Sequence, residues 1–305
     1  MTGKPSRRDF LLQLAALGVV VPSVPDTLVQ SALPTRAIPG TNDRLPIVGL
    51  GSSKAVLDIP TTGTQPLEAV LRMFVLKGGR VVDTSPRTEA IDARFGELLN
   101  LPDLRNKLFI AAKINTTGKQ AGIEQMRQMQ RLWRRDTLDL IQIESMRDLE
   151  VHWPSVREWK QSGQVRYIGV TVSSDSAHDR MEAFARAESF DFMHVNYSIL
   201  ERRAEERLLP LARERGMAVL INRPFMNGAL FQRVANQKLP DWAVEIDCTS
   251  WAQFSLKYIL SHTAVTCVLT ETTNPTHMQE NMQAGIGRLP NEAMRRRMGE
   301  LAATF

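Results

Sequence analysis

Lys77-Gly78-Gly79-Arg80-Val81-Val82-Asp83-Thr84-Ser85-Pro86-Arg87-Thr88-Glu89, followed by Phe95-Gly96-Glu97-Leu98-Leu99, is the stretch from which the fold can be read. Paired glycines end a helical pattern and offer the left-handed cap that helix C-termini favour. Val81 and Val82 open a short strand, Asp83 stands at its C-terminal end, and Ser85-Pro86 leads into a second helical pattern. A polar cluster at the C-terminal end of a strand between two helices is where a (β/α)8 barrel carries its chemistry.

Working outward from this stretch, strand patterns fall at residues 45–51, 81–83, 108–113, 138–144, 165–171, 192–196, 217–221 and 265–269. Helical patterns lie between most of them: Leu67, Val70, Leu71 and Phe74 at helical spacing, then about 90–99, 122–135, 156–161, 201–215 and 249–260. Asn274-Pro275 starts a final barrel helix, residues 32–46 are a Pro-rich lead-in, and the basic tail from Leu289 reads as a capping helix. Eight strands alternating with helices, with polar residues at the strand ends, predict an α/β fold, a (β/α)8 TIM barrel. A chain of 305 residues accommodates one such barrel.

The net charge of +5 is mild, and the first 31 residues contribute +1 of it through Lys4, Arg7, Arg8, Asp9 and Asp26. No basic and aromatic stripe accompanies it, so nucleic acid is not an expected partner. Arg127, Arg131, Arg134 and Arg135 read as the solvated face of one helix. Cys248 and Cys267 form neither a disulfide framework nor a metal-ligand spacing and read as buried small hydrophobes. Ser6-Arg7-Arg8-Asp9-Phe10-Leu11 resembles a twin-arginine export signal, and the apolar run from Leu11 to Val21 is too short for a comfortable membrane anchor. The expectation is a leader at 1–31, with Val29-Gln30-Ser31 as a candidate cleavage site, and one domain at 32–305. It implies the export machinery as a partner, a periplasmic location and no stable membrane anchor.

Asp83-Thr84-Ser85-Pro86 and Phe95-Gly96 resemble the "Asp-Thr-Ser-Pro-x-Tyr-Gly" signature of the aldo-keto reductases and the residues that follow it. Pro46-Ile47-Val48-Gly49-Leu50-Gly51-Ser52 is similar to the family's opening strand, Ala112-Lys113 to its lysine strand, and 138–143 to the next. Gln164-Val165-Arg166-Tyr167-Ile168-Gly169-Val170 and 274–281 resemble two further family segments, so the likeness runs over almost all of 32–305.

That resemblance implies hydride transfer from NADP or NAD to a small aldehyde or ketone. A tyrosine supplies the proton, a lysine paired with an aspartate lowers that tyrosine's pKa, and a histidine bonds the carbonyl. Carried over residue by residue, the catalytic positions are Asp83, Lys113, Thr88 in place of the tyrosine and Glu144 in place of the histidine. An aliphatic alcohol is a far weaker acid than a phenol, and Thr88 is shorter. Two readings of Glu144 follow: a carboxyl group that takes over as acid or polarises the carbonyl, or a carboxylate that merely pairs with Lys113. Tyr197, just past the sixth strand, is the one tyrosine expected near the mouth. The resemblance places cofactor contacts at Ser52, Thr171, Val172, His194, Asn222, Arg223, Glu271, Thr272, His277, Glu280 and Asn281. Glu271 would repel a 2′-phosphate and accept from ribose hydroxyls, which leaves the choice between NAD and NADP open. Beside reduction stand two alternatives: a barrel that only binds or regulates, and another acid–base reaction by Glu144, Asp83 and Lys113.

Overall fold

Side chains two apart on a strand share a face, so a barrel strand alternates between the interior and the surrounding helices. The structure, a computed structural model, describes residues 32–51 and 53–305. The expected export segment and the expected contact at Ser52 lie outside them. Ten strands are present among the described residues: β1 Thr35–Ala37, β2 Arg44–Pro46, β3 Val48–Gly51, β4 Val81–Asp83, β5 Phe109–Ile114, β6 Leu138–Glu144, β7 Val165–Thr171, β8 Phe192–Asn196, β9 Ala218–Asn222 and β10 Cys267–Glu271. From β3 to β10 they run parallel in chain order, and β10 closes the barrel against β3 and β9. The fold is the TIM barrel that the alternation predicted.

Val81, Phe109, Ala111, Leu140, Tyr167, Phe192, Ala218, Leu220, Cys267 and Leu269 fill the interior as one buried cluster. Their neighbours in sequence, among them Val82, Ile110, Ala112, Ile141, Ile168, Met193 and Val219, belong to the second cluster, between barrel and helices. Burial on both faces explains why these strands read as continuous apolar runs. Both cysteines are free and buried.

The N-terminal lead-in differs from its sequence reading. Residues 44–46 do not extend the first barrel strand but pair antiparallel with β1 as a hairpin. Ile38 and Leu45 of that hairpin join the interior cluster and plug the end of the barrel away from the strand C-termini. The Tyr167 hydroxyl donates to Asp43 of the hairpin turn at 2.6 Å. The expected helix at 201–215 is also interrupted. Residues 203–205 form a 3-10 turn and an α-helix runs only over Leu208–Glu214. Pro210 lacks the N–H that a continuous helix needs and is tolerated in a first turn, which sets the start at Leu208. A helix at His178–Ala187, between β7 and β8, completes the alternation.

In the decisive stretch, the helix Gln65–Leu76 ends as its glycines require. Gly78 has φ +87°, and Gly79 N–H donates to Phe74 O at 2.9 Å. Gly96 has a different task, where helix Glu89–Leu99 meets helix Lys119–Trp133. A Cβ there would overlap the Leu132 carbonyl oxygen and lie 3.2 Å from Trp133 Cα. Asn100 Nδ2 staples the crossing by donating to Gly96 O at 2.7 Å and Trp133 O at 2.9 Å. Backbone cannot yield as a flexible side chain does. Gly96→Ala is therefore expected to cost about 3 kcal/mol, the upper end for overpacking, and to lower Tm by roughly 6–12 °C in a thermal melt.

Candidate functional site

The interior alternation carries on above the apolar layers and turns polar. Phe109 and Ala111 are followed on the same face by Lys113, Leu140 by Gln142 and Glu144, Phe192 by His194, Leu220 by Asn222 and Leu269 by Glu271. All of these polar residues therefore collect at the strand C-termini, where the loops diverge.

At the floor, Lys113 Nζ lies 2.5 Å from Asp83 Oδ2, both side chains being buried. Asp83 Oδ1 accepts from Gln142 Nε2 at 3.1 Å, and Gln142 Oε1 lies 2.9 Å from His194 Nδ1. Burial would raise the Asp83 pKa, but the Lys113 ammonium and the surrounding donors outweigh it and hold the carboxyl below its usual range. Burial pushes His194 down to about 4, with Asp83 opposing and Lys113 assisting, so the imidazole is neutral near pH 7. Glu144 stands higher and is partly exposed. Its Oε1 accepts from the buried Ser85 hydroxyl at 3.1 Å. Among the described residues Glu144 has no ion pair with Lys113, which counts against the second of its two readings; the lysine pairs with Asp83, as the resemblance implies.

A cavity of about 710 Å³ opens over this floor, lined by Asp83, Lys113, Glu144, Thr171, His194, Asn222, Arg223 and Glu271 among others. A second chamber of about 440 Å³ is lined by Trp251, His277, Glu280 and Asn281 among others. Phe225, Phe231, Glu271 and Thr272 line both, so the two chambers share a wall. Six of the eight left-handed non-glycine residues described lie on two loops at this mouth: Ser145, Met146 and Asp148 after β6, and Arg223, Met226 and Asn227 after β9. Such strain persists only where surrounding contacts enforce it. Here Asp148 accepts from Gly118 N–H at 2.8 Å, and the Arg223 guanidinium donates to Ser173 O at 2.6 Å.

The sequence pattern of the aldo/keto reductase family matches residues 49–298. The chain belongs to that family. It is similar to the NADH-specific methylglyoxal reductase of Escherichia coli (strain K12), 27% identical over 173 residues, 44% of this chain and 52% of that one. The chain thus spans about half the length of the curated relative it matches. An aldo-keto reductase from Bacillus halodurans in its holo form superposes with a TM-score of 0.72 at 19% identity, over 88% of this chain and 96% of that one. An aldo/keto reductase from Klebsiella pneumoniae, in complex with NADP and acetate, gives 0.73 at 19% identity over 87% and 94%. At such identities the two structures show the fold.

In this member of the family the expected residues divide. Asp83, Lys113, Glu144, Thr171, His194, Asn222 and Arg223 come together in the larger chamber, His277, Glu280 and Asn281 in the smaller, and Glu271 and Thr272 between them. Two do not. Thr88 is exposed at the head of helix Glu89–Leu99 and is not among the residues lining either chamber. Val172 has the opposite alternation from Thr171, so its side chain is buried between barrel and helices. Only its backbone faces the loops, accepting from Asn222 Nδ2 at 2.9 Å. Tyr197 turns away from the mouth as well: it is buried, bonded to Glu205, and receives Arg295 at 2.5 Å. One carboxylate oxygen of the exposed Glu271 accepts from Lys54 N–H, and a carboxylate keeps further acceptor sites beside it.

Ser85 and Gln142 were missed as site residues. Gln142 had a signal, being polar, on the Glu144 face, inside the otherwise apolar run Leu140-Ile141-Gln142-Ile143. Ser85 had only its place in the Asp83 stretch.

Proposed function

We propose that this aldo/keto reductase transfers hydride between NAD(P) and a small aldehyde or ketone, with NADH as the favoured donor. The observation that carries the proposal is the buried Lys113–Asp83 pair on the floor of a cavity whose wall continues into a second chamber, room for a molecule with two ends. The residues fit such a cofactor in part. His194 Nε2 and Asn222 Oδ1 are buried acceptors without a partner among the described residues, and Asn281, buried, lines the far chamber. The Glu271 carboxylate between the chambers fits a diphosphate poorly, although Lys54 and Arg223 line the same cavity. The name of the Escherichia coli relative supports NADH and a small carbonyl substrate.

The cofactor, when bound, supplies the hydride. Lys113, fixed by Asp83, offers a positive charge to the carbonyl oxygen as negative charge develops there. Glu144, oriented by Ser85, gives that oxygen a proton in its acid form and regains one from solvent. The loops after β6 and β9 border the mouth and limit access of water from that side. The leader resembling a twin-arginine signal supports a periplasmic site of action, with the export machinery as partner.

The test is quenching of tryptophan fluorescence by NADH and NADPH, followed by NADH oxidation with small aldehydes. Saturable micromolar binding and turnover are expected. Glu144→Gln should bind NADH equally but turn over about 10²-fold or more slowly, the usual worth of a positioned acid. An unchanged rate would remove Glu144 from the chemistry. Absence of binding by either nucleotide would favour the second reading, a barrel that binds without reducing. One observation supports that reading: none of the residues lining either chamber is a tyrosine.

A further inference from the structure

At the end of the barrel away from the strand C-termini, a cleft of about 430 Å³ lies between the β1–β2 hairpin, the end of helix Leu208–Glu214 and the turn into β10. Its charged lining residues are Arg36, Arg44 and Arg213, and no carboxylate lines it. None of the three has an ion pair among the described residues. The cations that line the larger chamber differ in this respect, since Lys54, Lys113 and Arg223 pair with Asp58, Asp83 and Glu201.

Two of the three guanidinium groups are held in place by neutral oxygens. Arg36 donates to the backbone oxygens of Leu260, Val265 and His262, the last at 3.1 Å. Arg44 donates to Thr35 Oγ1 at 2.9 Å and to Thr35 O at 2.7 Å. Such bonds fix the direction of each fork without opposing its charge, and a guanidinium has five N–H groups, more than these oxygens take. Arg36 is half-buried, and burial holds its pKa below the ordinary arginine value. Charges withdrawn from water are ordinarily paired. Neighbouring His262 feels the same field: burial lowers its pKa, and Arg295, Arg213 and Arg36 add to the effect against a single carboxylate, Glu205. Thr266 lines the cleft as well. Its Oγ1 accepts from Val219 N–H at 2.9 Å, which leaves its hydroxyl hydrogen to donate.

We propose that this cleft is a binding site for a small, multiply charged oxyanion, a phosphate ester or a polycarboxylate. The planar forks of Arg36 and Arg44 suit the oxygens of either group, and Arg213 adds a third charge from the helix side. An anion of two or more charges removes the mutual repulsion of three cations, which a monovalent ion does only in part. The volume is that of a small-molecule site. Because the cleft and the two chambers lie at opposite ends of the barrel, its ligand does not compete with whatever fills them.

The test is backbone amide NMR of the full chain, titrated with pyrophosphate and with citrate at constant ionic strength. Saturable shifts are expected at Gly216 and Ala264, which line the cleft. Tighter binding of pyrophosphate would identify the ligand as a phosphate ester, and tighter binding of citrate as a polycarboxylate. Arg213→Gln, a change at an exposed side chain, should weaken binding about tenfold or more, the worth of one charge-assisted hydrogen bond. Ala37→Glu, also at an exposed position, brings a carboxylate among the arginines and should abolish saturation. A thermal melt establishes that both variants fold. Unchanged affinity in the two folded variants would overturn the proposal, as would equal shifts with chloride. Shifts confined to the loops after β6 and β9 would place the anion in the chambers instead, and would also overturn it. These readouts need neither cofactor nor turnover, so they stand or fall apart from the reductase reading.

Discussion

Lys113→Met is expected to destabilise the protein by about 3–5 kcal/mol, the usual consequence of stranding one member of a buried pair. Lys113 Nζ lies 2.5 Å from Asp83 Oδ2, with 6% and 7% of the side chains exposed, so water cannot take the lysine's place without rearrangement. The loss should be largely recovered in Asp83→Asn/Lys113→Met, because replacing both partners removes the uncompensated charge and Asn still offers an oxygen to Gln142. Urea unfolding of the wild type, both single variants and the double variant measures the coupling. Additive single effects would mean that the pair does not act as a unit. In an active preparation, loss of Lys113 should also slow carbonyl reduction by about 10²–10³-fold, as removal of a group that stabilises a developing oxyanion does.

The pH dependence gives the same pair a second signature. Stability rises with pH wherever the unfolded chain binds more protons than the folded one. Asp83 has a folded pKa below its unfolded value, about 4, so its contribution is present above pH 4 and lost as pH falls through the folded value. His194 acts in the same direction over a higher window. Its unfolded form takes a proton near 6.5 and its folded form only near 4, so acidification from 6.5 to 4 should remove roughly 3 kcal/mol. In Lys113→Met the Asp83 carboxyl is buried without its cation, its folded pKa moves above the unfolded value, and its contribution reverses: mild acid favours the folded variant.

The barrel was legible because its strands are buried on both faces and leave apolar runs between amphipathic helices. Asp83, Lys113, Glu144 and His194 were placed by the family resemblance; they stand together in the larger chamber because each is a polar residue on the interior face of such a run. Thr88 was placed by counting along a loop, and loops carry no alternation that fixes where a side chain points. Val172 shows how narrow the margin is, since one position along the chain from Thr171 turns a side chain from the interior to the helices. The β1–β2 hairpin was hidden by three-residue strands, too short to show a period. The Gln142–His194 contact joins β6 and β8, and no pattern within either strand contains it. The acid–base alternatives for Glu144 narrowed only when Lys113 was found on Asp83 and Glu144 on Ser85.

Glu271→Gln is expected to bind NADH more tightly than the wild type, by roughly five- to thirtyfold at low salt. Glu271 lines both chambers, so a dinucleotide spanning them would bring its diphosphate past this residue. Two like charges a few ångströms apart near a surface repel by up to about 4 kcal/mol, and at this exposed rim solvent reduces that to about 1–2 kcal/mol. Gln retains an oxygen to accept from Lys54 N–H, as Glu271 does, so the loop need not move. The advantage should shrink in high salt, where exposed charges are screened. Although its side chain reaches solvent, desolvation by the surrounding wall raises the Glu271 pKa against the opposing Lys54 N–H, so part of the repulsion disappears on acidification. Wild-type affinity should therefore improve from pH 8 to pH 5 and approach that of Glu271→Gln, whose own affinity should change less. The opposite sign has a distinct meaning. If Glu271 holds ribose hydroxyls, removing its charge weakens NADH binding and leaves NADPH less affected. Fluorescence titrations of both nucleotides at two salt concentrations and two pH values separate a carboxylate that repels the diphosphate from one that grips the sugar.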